Sequence, residues 1–543
     1  MASESMAGMV VDRARELEQE DDQLMDLEDD FVKSCLDANE RGDGVLYATL
    51  HKGRYLFNTT PKDGAWFRWT GIVWEQDEFR DAFEAVEAVA LQYEQRALDL
   101  FAEAEKLEEA GNKEVADKVL DLAKRYRKRV DRLRTENGAK KPLVWAPVVE
   151  KSMACRELEM DRQPMLLPCG NGVIDLAAGV LLDGNPDDLI TKAIEVDYLT
   201  DADYTDWHKF LVEVCGSEAV AHFLKRFFGY ALTGHSYEQY IAVFTGGGRN
   251  GKGVLFSIIA KVFGPYYHVI NPSMITEQRF DPSPNAASEH KYAMHGKRLL
   301  VAGESKRGQR IDAGQVKGLT GDDKIECRPN FGKTFVFDPT HTLCLHTNHM
   351  PMGMGSEFSL VQRLLKVDFP WAYVDDIEAE TKKFPPLAGT FRKKDKHLKE
   401  KFLQRKNLEG VLKWLVEGCL EWQQRGLDPP QEILDSVNEL AKAEDYLTEF
   451  LNDSLIPSPD DPDREISFQG LYQCFLWWWG LNQGDPKKAP ANRTLAKAMR
   501  ERGYTLDKRG GKIYARGVLY HPDLYREMLS DDEPSHPAHP SSS

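Results

Sequence analysis

The chain has no C-x-x-C pair, and so none matched to a histidine pair at zinc-finger spacing; its eight cysteines lie apart at positions 35, 155, 169, 215, 327, 344, 419 and 474. That scatter excludes a disulfide scaffold and a cysteine-built zinc module, so reduced thiols and no structural metal are expected. Long apolar runs are missing too: none approaches the ~18 residues a membrane span needs. The acidic opening "MASESMAGMVVDRARELEQEDD" also lacks the basic stretch and apolar core of a secretory signal, so the expectation is a cytoplasmic protein with no membrane partner. A broad basic face is the third absence. The net charge is -18, which confines any nucleic-acid binding to local patches.

What remains is an ordinary globular composition, 42% hydrophobic and 29% charged over 543 residues. That length suits about three or four domains with ample core. Residues 1–40 read as an acidic flexible lead-in. Residues 41–150 read as a small β module, from the aromatic and β-branched run "GVLYATLHKGRYLFNTTPKDGAWFRWTGIVWEQD", followed by a helical hairpin over 78–136 that turns at "AGNK". The charged hairpin suits a packed or solvated spacer, with an interaction arm as the alternative. Residues 151–235 read as a mixed domain containing "NGVIDL" strands and the helical "WHKFLVEVCGSEAVAHFLKRFFGYALTG". A core follows over 236–375, then a helical region over 376–455, a linker "IPSPDDPDRE", a module over 464–525 and a disordered tail over 530–543.

The chemistry concentrates in "YIAVFTGGGRNGKGVLFSII", an apolar strand, a glycine-rich turn and an apolar helix. Gly246 and Gly251 occupy the first and sixth positions of a G-x-x-x-x-G-K pattern. Backbone N–H groups of Gly246, Gly247, Gly248, Arg249, Asn250, Gly251, Lys252 and Gly253 can turn inward around phosphate oxygens while Lys252 reaches the outer phosphates. The helix that follows adds its positive N-terminus. Gly253 stands where a magnesium-binding hydroxyl is usual, so the metal must be held by phosphates, water and a carboxylate elsewhere.

Three further residues complete a candidate ATPase. The strand "LLVA" ends beside Glu304, which can orient the attacking water or hold the water shell of the metal; taken alone it would be a solvated strand-end acid. The strand "TLCLHTN" ends at Asn348, whose amide can fix the nucleophilic water and sense the γ-phosphate. "SLVQRLLKVDFP" carries Arg363, a guanidinium that can act on a neighbouring subunit's nucleotide.

This ordered set, "GGGRNGKG", "LLVAGE", "KGLTGDDKIECR", "LHTNHMP" and "QRLLKVDFP", resembles the motifs of superfamily 3 helicases, and most nearly the helicase half of phage and poxvirus-type primase-helicases. The resemblance covers about 165–520. It implies an α/β fold: a P-loop AAA+-like ATPase core with a preceding mixed α+β domain and a C-terminal winged-helix-like domain. It further implies ATP and Mg2+ as cofactors, Lys252 on the phosphates, Glu304 as the acid, Asn348 as sensor and Arg363 as a finger in trans. The assembly implied is a ring, usually a hexamer. Two departures touch the metal arrangement: Gly253 replaces Ser or Thr, and Gly303 stands where many relatives place a second acid. The residues before about 165 are too few for a full primase domain and show no D-x-D motif, so the primase or polymerase is expected to be a separate partner.

In superfamily 3 rings a hairpin between the acid strand and the sensor strand enters the channel. The matching turn here carries Arg328, Asn330, Phe331 and Lys333, suited to gripping phosphates without reading sequence. From Lys487 to Arg516 ten basic residues stand against only Glu501 and Asp507, a local charge of +8, with Lys508, Arg509 and Lys512 around the turn "RGGK". Trp477, Trp478 and Trp479 have the spacing of core residues more than of base-stacking ones. The reading is an ATP-dependent helicase on single-stranded and forked DNA in phage or mobile-element replication, within a bacterial host if phage-derived. The rivals are an initiator or assembly protein that binds ATP and DNA with little hydrolysis, and a P-loop kinase, which lacks support because nothing in the sequence resembles an arginine-rich lid over an acceptor pocket.

Overall fold

Five short runs of apolar and β-branched residues build the central sheet of the computed structural model: β1 (Ile241–Thr245), β2 (Tyr267–Ile270), β3 (Leu299–Ala302), β4 (Thr342–His346) and β5 (Leu364–Asp368). The model describes residues 25, 27–61, 63–278, 288–304, 309–328, 334–355, 357–443, 445–458, 461, 464–482, 485–486, 489–501 and 504–522. All pairings in the sheet are parallel and the order is 5-1-4-3-2. A parallel sheet must be covered on both faces, and the strands show it. Ala242, Phe244, Leu299 and Val301 enter one buried cluster, while the alternating Ile241, Val243, Leu300 and Ala302 enter another. The period of two thus divides each strand between two cores.

One face is covered by α1 (Thr205–Cys215), α2 (Glu218–Ala231), α3 (Lys252–Phe263) and α4 (Arg405–Arg425), which contribute Trp207, Phe223, Phe227, Phe228, Val262 and Trp414 to a single cluster. The strands Leu166–Cys169, Gly172–Asp175 and Val180–Leu182 form an antiparallel sheet, and their Leu167 and Ile174 join that cluster. Residues 166–231 therefore share a core with the five-stranded sheet. Helices α2 and α4 cross at backbone contact. A Cβ on Gly229 would lie 2.2 Å from the Cys419 nitrogen, and one on Gly418 would lie 2.0 Å from the Lys225 carbonyl oxygen. Lys225 of α2 then reaches Glu417 and Glu421 of α4 at 2.9 and 2.8 Å.

Three readings of the sequence need correction. The expected lead-in is ordered from Asp29: the helix Asp29–Asp37 buries Val32, Cys35 and Leu36, an i, i+3, i+4 stripe inside an acidic stretch. "GVLYATLH" is likewise helix, within Asn39–His51, because Leu46, Tyr47 and His51 face the same core; the β module is confined to Tyr55–Asn58, Ala65–Trp69 and Trp74–Gln76, joined by Ala154–Cys155. The "IPSPDDPDRE" stretch is no simple linker, since Leu455–Pro457 pairs antiparallel with Val518–Tyr520. The preceding helix Tyr446–Ser454 also packs with the C-terminal elements, Tyr446 on Trp479 at 4.9 Å and Phe450 on Phe475 at 5.0 Å. Two long helices, Val86–Glu109 and Lys113–Leu133, form the hairpin that turns at Ala110–Asn112. Residues 1–24 and 523–543 lie outside the described residues.

The α2–α4 crossing leaves no space for a side chain, so Gly418→Ala should destabilise the protein by about 1–3 kcal/mol. Thermal unfolding measures this, and an unchanged midpoint would contradict backbone contact at the crossing.

Candidate nucleotide site and nucleic-acid surfaces

The glycine-rich turn leaves the carboxyl end of β1, where the parallel order puts the ends of β4 and β5 on either side. This is the crevice position at which open α/β sheets take ligands. Gly251 adopts φ +90°, and a Cβ there would lie 2.6 Å from Val214 Cγ1 of α1. Only glycine permits both the left-handed turn and this approach. Helix α3 then begins at Lys252, which is 1% exposed.

Three of the four predicted catalytic residues meet at this point. Lys252 Nζ donates to the Gly246 carbonyl at 2.8 Å and to Asn348 Oδ1 at 3.1 Å, while Asn348 Nδ2 donates to Glu304 Oε1. Each acid or amide stands two residues beyond its strand, Glu304 after β3 and Asn348 after β4, so adjacent strands bring them together. Burial pushes the Lys252 pKa down to about 8, opposed in part by the Glu304 and Asp368 carboxylates. Asn250 is 3% exposed and its Nδ2 is buried without a hydrogen-bond partner among the described residues. A cation and an unmatched donor beside a glycine loop fit an incoming anion.

Arg363 stands apart from this cluster. It immediately precedes β5, at the end of the strand opposite the loop, so about five residues of strand, roughly 16 Å, separate it from the glycine turn. Its Nη1 donates to Thr320 Oγ1 at 3.1 Å and its carbonyl accepts from the Ile241 N–H at 2.8 Å. Gly253 and Gly303 have nothing among the described residues within 4 Å of an added Cβ. Neither glycine is required by packing.

The loop opens into a cleft of about 670 Å3 whose lining includes parts the sequence reading missed. Ala372–Val374 runs parallel to Phe391–Lys393, and the Tyr373 N–H donates to the Arg249 carbonyl at 2.7 Å, so this segment is tied to the loop. It brings Lys393 and Lys394 to the cleft, where Lys209 and Lys401 also line it alongside Phe210 and Phe402. The run "FRKKDKHLKEK" was visible as charge, but nothing in its spacing linked it to a loop some 140 residues earlier. Asp368 at the end of β5 was also missed; its carboxylate is held by Lys366 at 2.6 Å and by Ser436.

The expected channel hairpin has its two strands, Ile325–Cys327 and Phe335–Phe337, in antiparallel register. Arg328 is exposed at its base and anchored by its N–H to Ser288 Oγ at 2.8 Å; Asn330, Phe331 and Lys333 lie outside the described residues. In the C-terminal unit, Leu506–Arg509 and Lys512–Arg516 form a two-residue hairpin with Gly510 and Gly511 at φ +56° and +82°. Lys508, Arg509 and Lys512 are exposed around that turn, Arg509 lying 3.4 Å from Glu465; Lys487, Lys488 and Arg502 lie outside the described residues. Trp478 and Trp479 are 1% and 2% exposed, so their rings serve the core. The arginine-rich helix Lys113–Leu133 offers no free patch through its arginines. Arg125, Arg127, Arg129 and Arg132 pair with Asp37, Glu94, Asp43 and Glu40.

The glycine loop on a parallel sheet, with an acid and an amide from neighbouring strands, stands in a chain that is similar over most of its length to viral proteins named as helicases. Residues 46–216 match the family model described as D5 N terminal like, and residues 244–363 match a family of unknown function, DUF5906. "Putative helicase L207/L206" of Acanthamoeba polyphaga mimivirus is 25% identical over 512 residues, covering 93% of this chain and 52% of that protein. "Putative helicase 121R" of Invertebrate iridescent virus 3 is 23% identical, covering 90% and 54%. The chain spans about half the length of these two relatives. Among solved structures, the apo C-terminal region of NrS-1 aligns over 67% of this chain and 85% of that one at 12% identity, with a TM-score of 0.35. The likeness begins well before residue 165, the start expected from the motifs, because the D5 match opens at 46. No helix among the described residues is long and apolar enough to cross a membrane.

If the buried Lys252 ammonium titrates near pH 8, triphosphate binding must take up a proton above that pH. Affinity should then weaken by about fivefold from pH 8 to pH 9 and change little from 6.5 to 7.5. Calorimetric titration across that range checks it, and a flat profile would contradict a lowered lysine pKa.

Proposed function

We propose that the protein is an ATP-dependent DNA helicase of the superfamily 3 type, working as a ring, hexameric in the simplest case, on single-stranded and forked DNA during replication of a phage, virus or mobile element. The observation that carries the reading is the convergence of Lys252, Asn348 and Glu304 at the carboxyl ends of β1, β4 and β3. Those three groups can bind the outer phosphates, position a water and orient it toward the γ-phosphorus. The 5-1-4-3-2 strand order supports an AAA+-like core, and the helix, helix, hairpin order of residues 468–516 supports a winged-helix reading.

Magnesium fits this site only in part. Glu304 is exposed at the cleft and can hold the water shell of the ion, but Gly253 offers no hydroxyl, so triphosphate oxygens and water would supply most of the coordination. Lys252, Lys393 and Lys394 would balance the remaining phosphate charge, and Phe210 and Phe402 give the same cleft an apolar wall for a base. Arg363 is too far from its own loop to serve there, which supports action on a neighbour's nucleotide. The 325–337 hairpin and the Lys508–Lys512 turn are the phosphate-gripping surfaces, and a separate primase or polymerase remains the implied partner. The missing hydroxyl favours one other reading, an ATP-bound initiator or assembly protein that turns over little.

Hydrolysis measured with magnesium should rise strongly on adding single-stranded DNA; binding without turnover would favour the assembly protein. Glu304→Gln should abolish unwinding while retaining ATP, and Arg363→Ala should cost about 10³-fold in turnover while leaving binding intact. Normal hydrolysis by the Arg363 variant would remove it from the finger role. Because the space beside Gly253 is open, Gly253→Ser should fold normally and turn over at lower magnesium concentration than the native chain; an unchanged magnesium requirement would exclude position 253 from metal binding.

A further inference from the structure

Away from the glycine loop, two histidines and a glutamate converge at the turn between α1 and α2. His208 lies on α1, and Glu218 and His222 lie one turn apart at the start of α2. The Glu218 Oε1 atom is 2.7 Å from His208 Nε2 and 3.3 Å from His222 Nε2, and the two imidazole centroids are 4.9 Å apart. All three ligand atoms lie within 4.8 Å of one another. Around a tetrahedral zinc ion with bonds of about 2.0–2.1 Å, ligand atoms stand about 3.3 Å apart. The cluster is therefore near that arrangement before any ion arrives.

The scaffold under it is fixed. Gly216, at φ +70°, ends α1, and Ser217 caps α2 by accepting the Val220 N–H at 3.3 Å while donating to Glu432 at 3.0 Å. Glu218 and His222 share a helix face by their i, i+4 spacing, and packing of α1 on α2 supplies His208. No sequence spacing rule finds such a site, because its third ligand comes from tertiary contact.

We propose that His208, Glu218 and His222 bind a divalent transition-metal ion of the zinc class, with water completing the fourth position. Three protein ligands of nitrogen and oxygen type suit zinc, and cobalt as its spectroscopic substitute, over magnesium or calcium, which prefer oxygen. The ion would fasten the start of α2 to α1. Helix α1 supplies Val214, against which Gly251 packs, and Phe210 of the cleft wall, so the metal would brace the floor of the glycine loop.

The test is calorimetric titration of the full chain with zinc chloride, paired with absorption spectra on cobalt addition. One tight equivalent and a tetrahedral cobalt spectrum are expected for the native protein. Both should be lost in His222→Ala and in His208→Ala, and weakened in Glu218→Gln. His222 is half-exposed, so its variant should fold without metal, and circular dichroism checks this. Absence of a tight equivalent in the native chain, or its survival in both histidine variants, would overturn the proposal.

Discussion

A lysine almost wholly buried, with no carboxylate among the described residues in direct contact, sets the terms for the centre of this molecule. Charge in such a place is costly unless hydrogen bonds replace water. The Lys252 ammonium finds them in the Gly246 carbonyl and the Asn348 amide oxygen, and the amide passes its other side to Glu304. The parallel order of the sheet follows as a requirement, since only with β4 beside β1, and β3 beside β4, do the amide and the acid reach the lysine. The glycines follow too: Gly251 must turn left-handed and lie against Val214 for α3 to begin at the lysine. A polyanion drawn into the cleft would relieve the buried cation.

The cleft around that lysine depends on elements distant in sequence. Helix α2 meets α4 at Gly229 and Gly418 without intervening side chains, and the Lys225 pairs with Glu417 and Glu421 lock the crossing. The segment before α4 reaches the loop through Tyr373 and delivers Lys393 and Lys394. The far side is just as connected. His295 packs on Phe335 and Phe337 of the hairpin at 5.0 and 5.1 Å, and Tyr292 donates to Glu157 at 2.6 Å, linking the hairpin base to residues in the D5-like match.

The glycine loop was legible in the sequence because its signal is local: a strand, a glycine turn, a lysine and a helix occupy twenty consecutive residues. Glu304 and Asn348 were legible through their order and their places just after apolar strands. The lysines at 393 and 394 were not, because a charge run carries no information about what it folds against. The helix at Asn39–His51 was missed because Val45, Tyr47 and Thr49 have strand-like propensities, which tertiary burial of one helical face overrode. The role of Leu455–Pro457 escaped because strand pairing with Val518–Tyr520 spans the whole C-terminal unit.

The arginine-rich helix Lys113–Leu133 has one more consequence. Its four arginines are matched by acids from the helices Asp29–Asp37, Asn39–His51 and Val86–Glu109, so their neutralisation is a property of assembly, not of composition. A chain clipped by a protease before Glu40 would lose Asp37, uncover Arg125 and loosen the packing that holds the rest. Such a fragment would behave as a weak anion trap, retaining nucleic acid by simple ion exchange. Adhesion of that kind would be indistinguishable, on a heparin column, from binding at a dedicated nucleic-acid site.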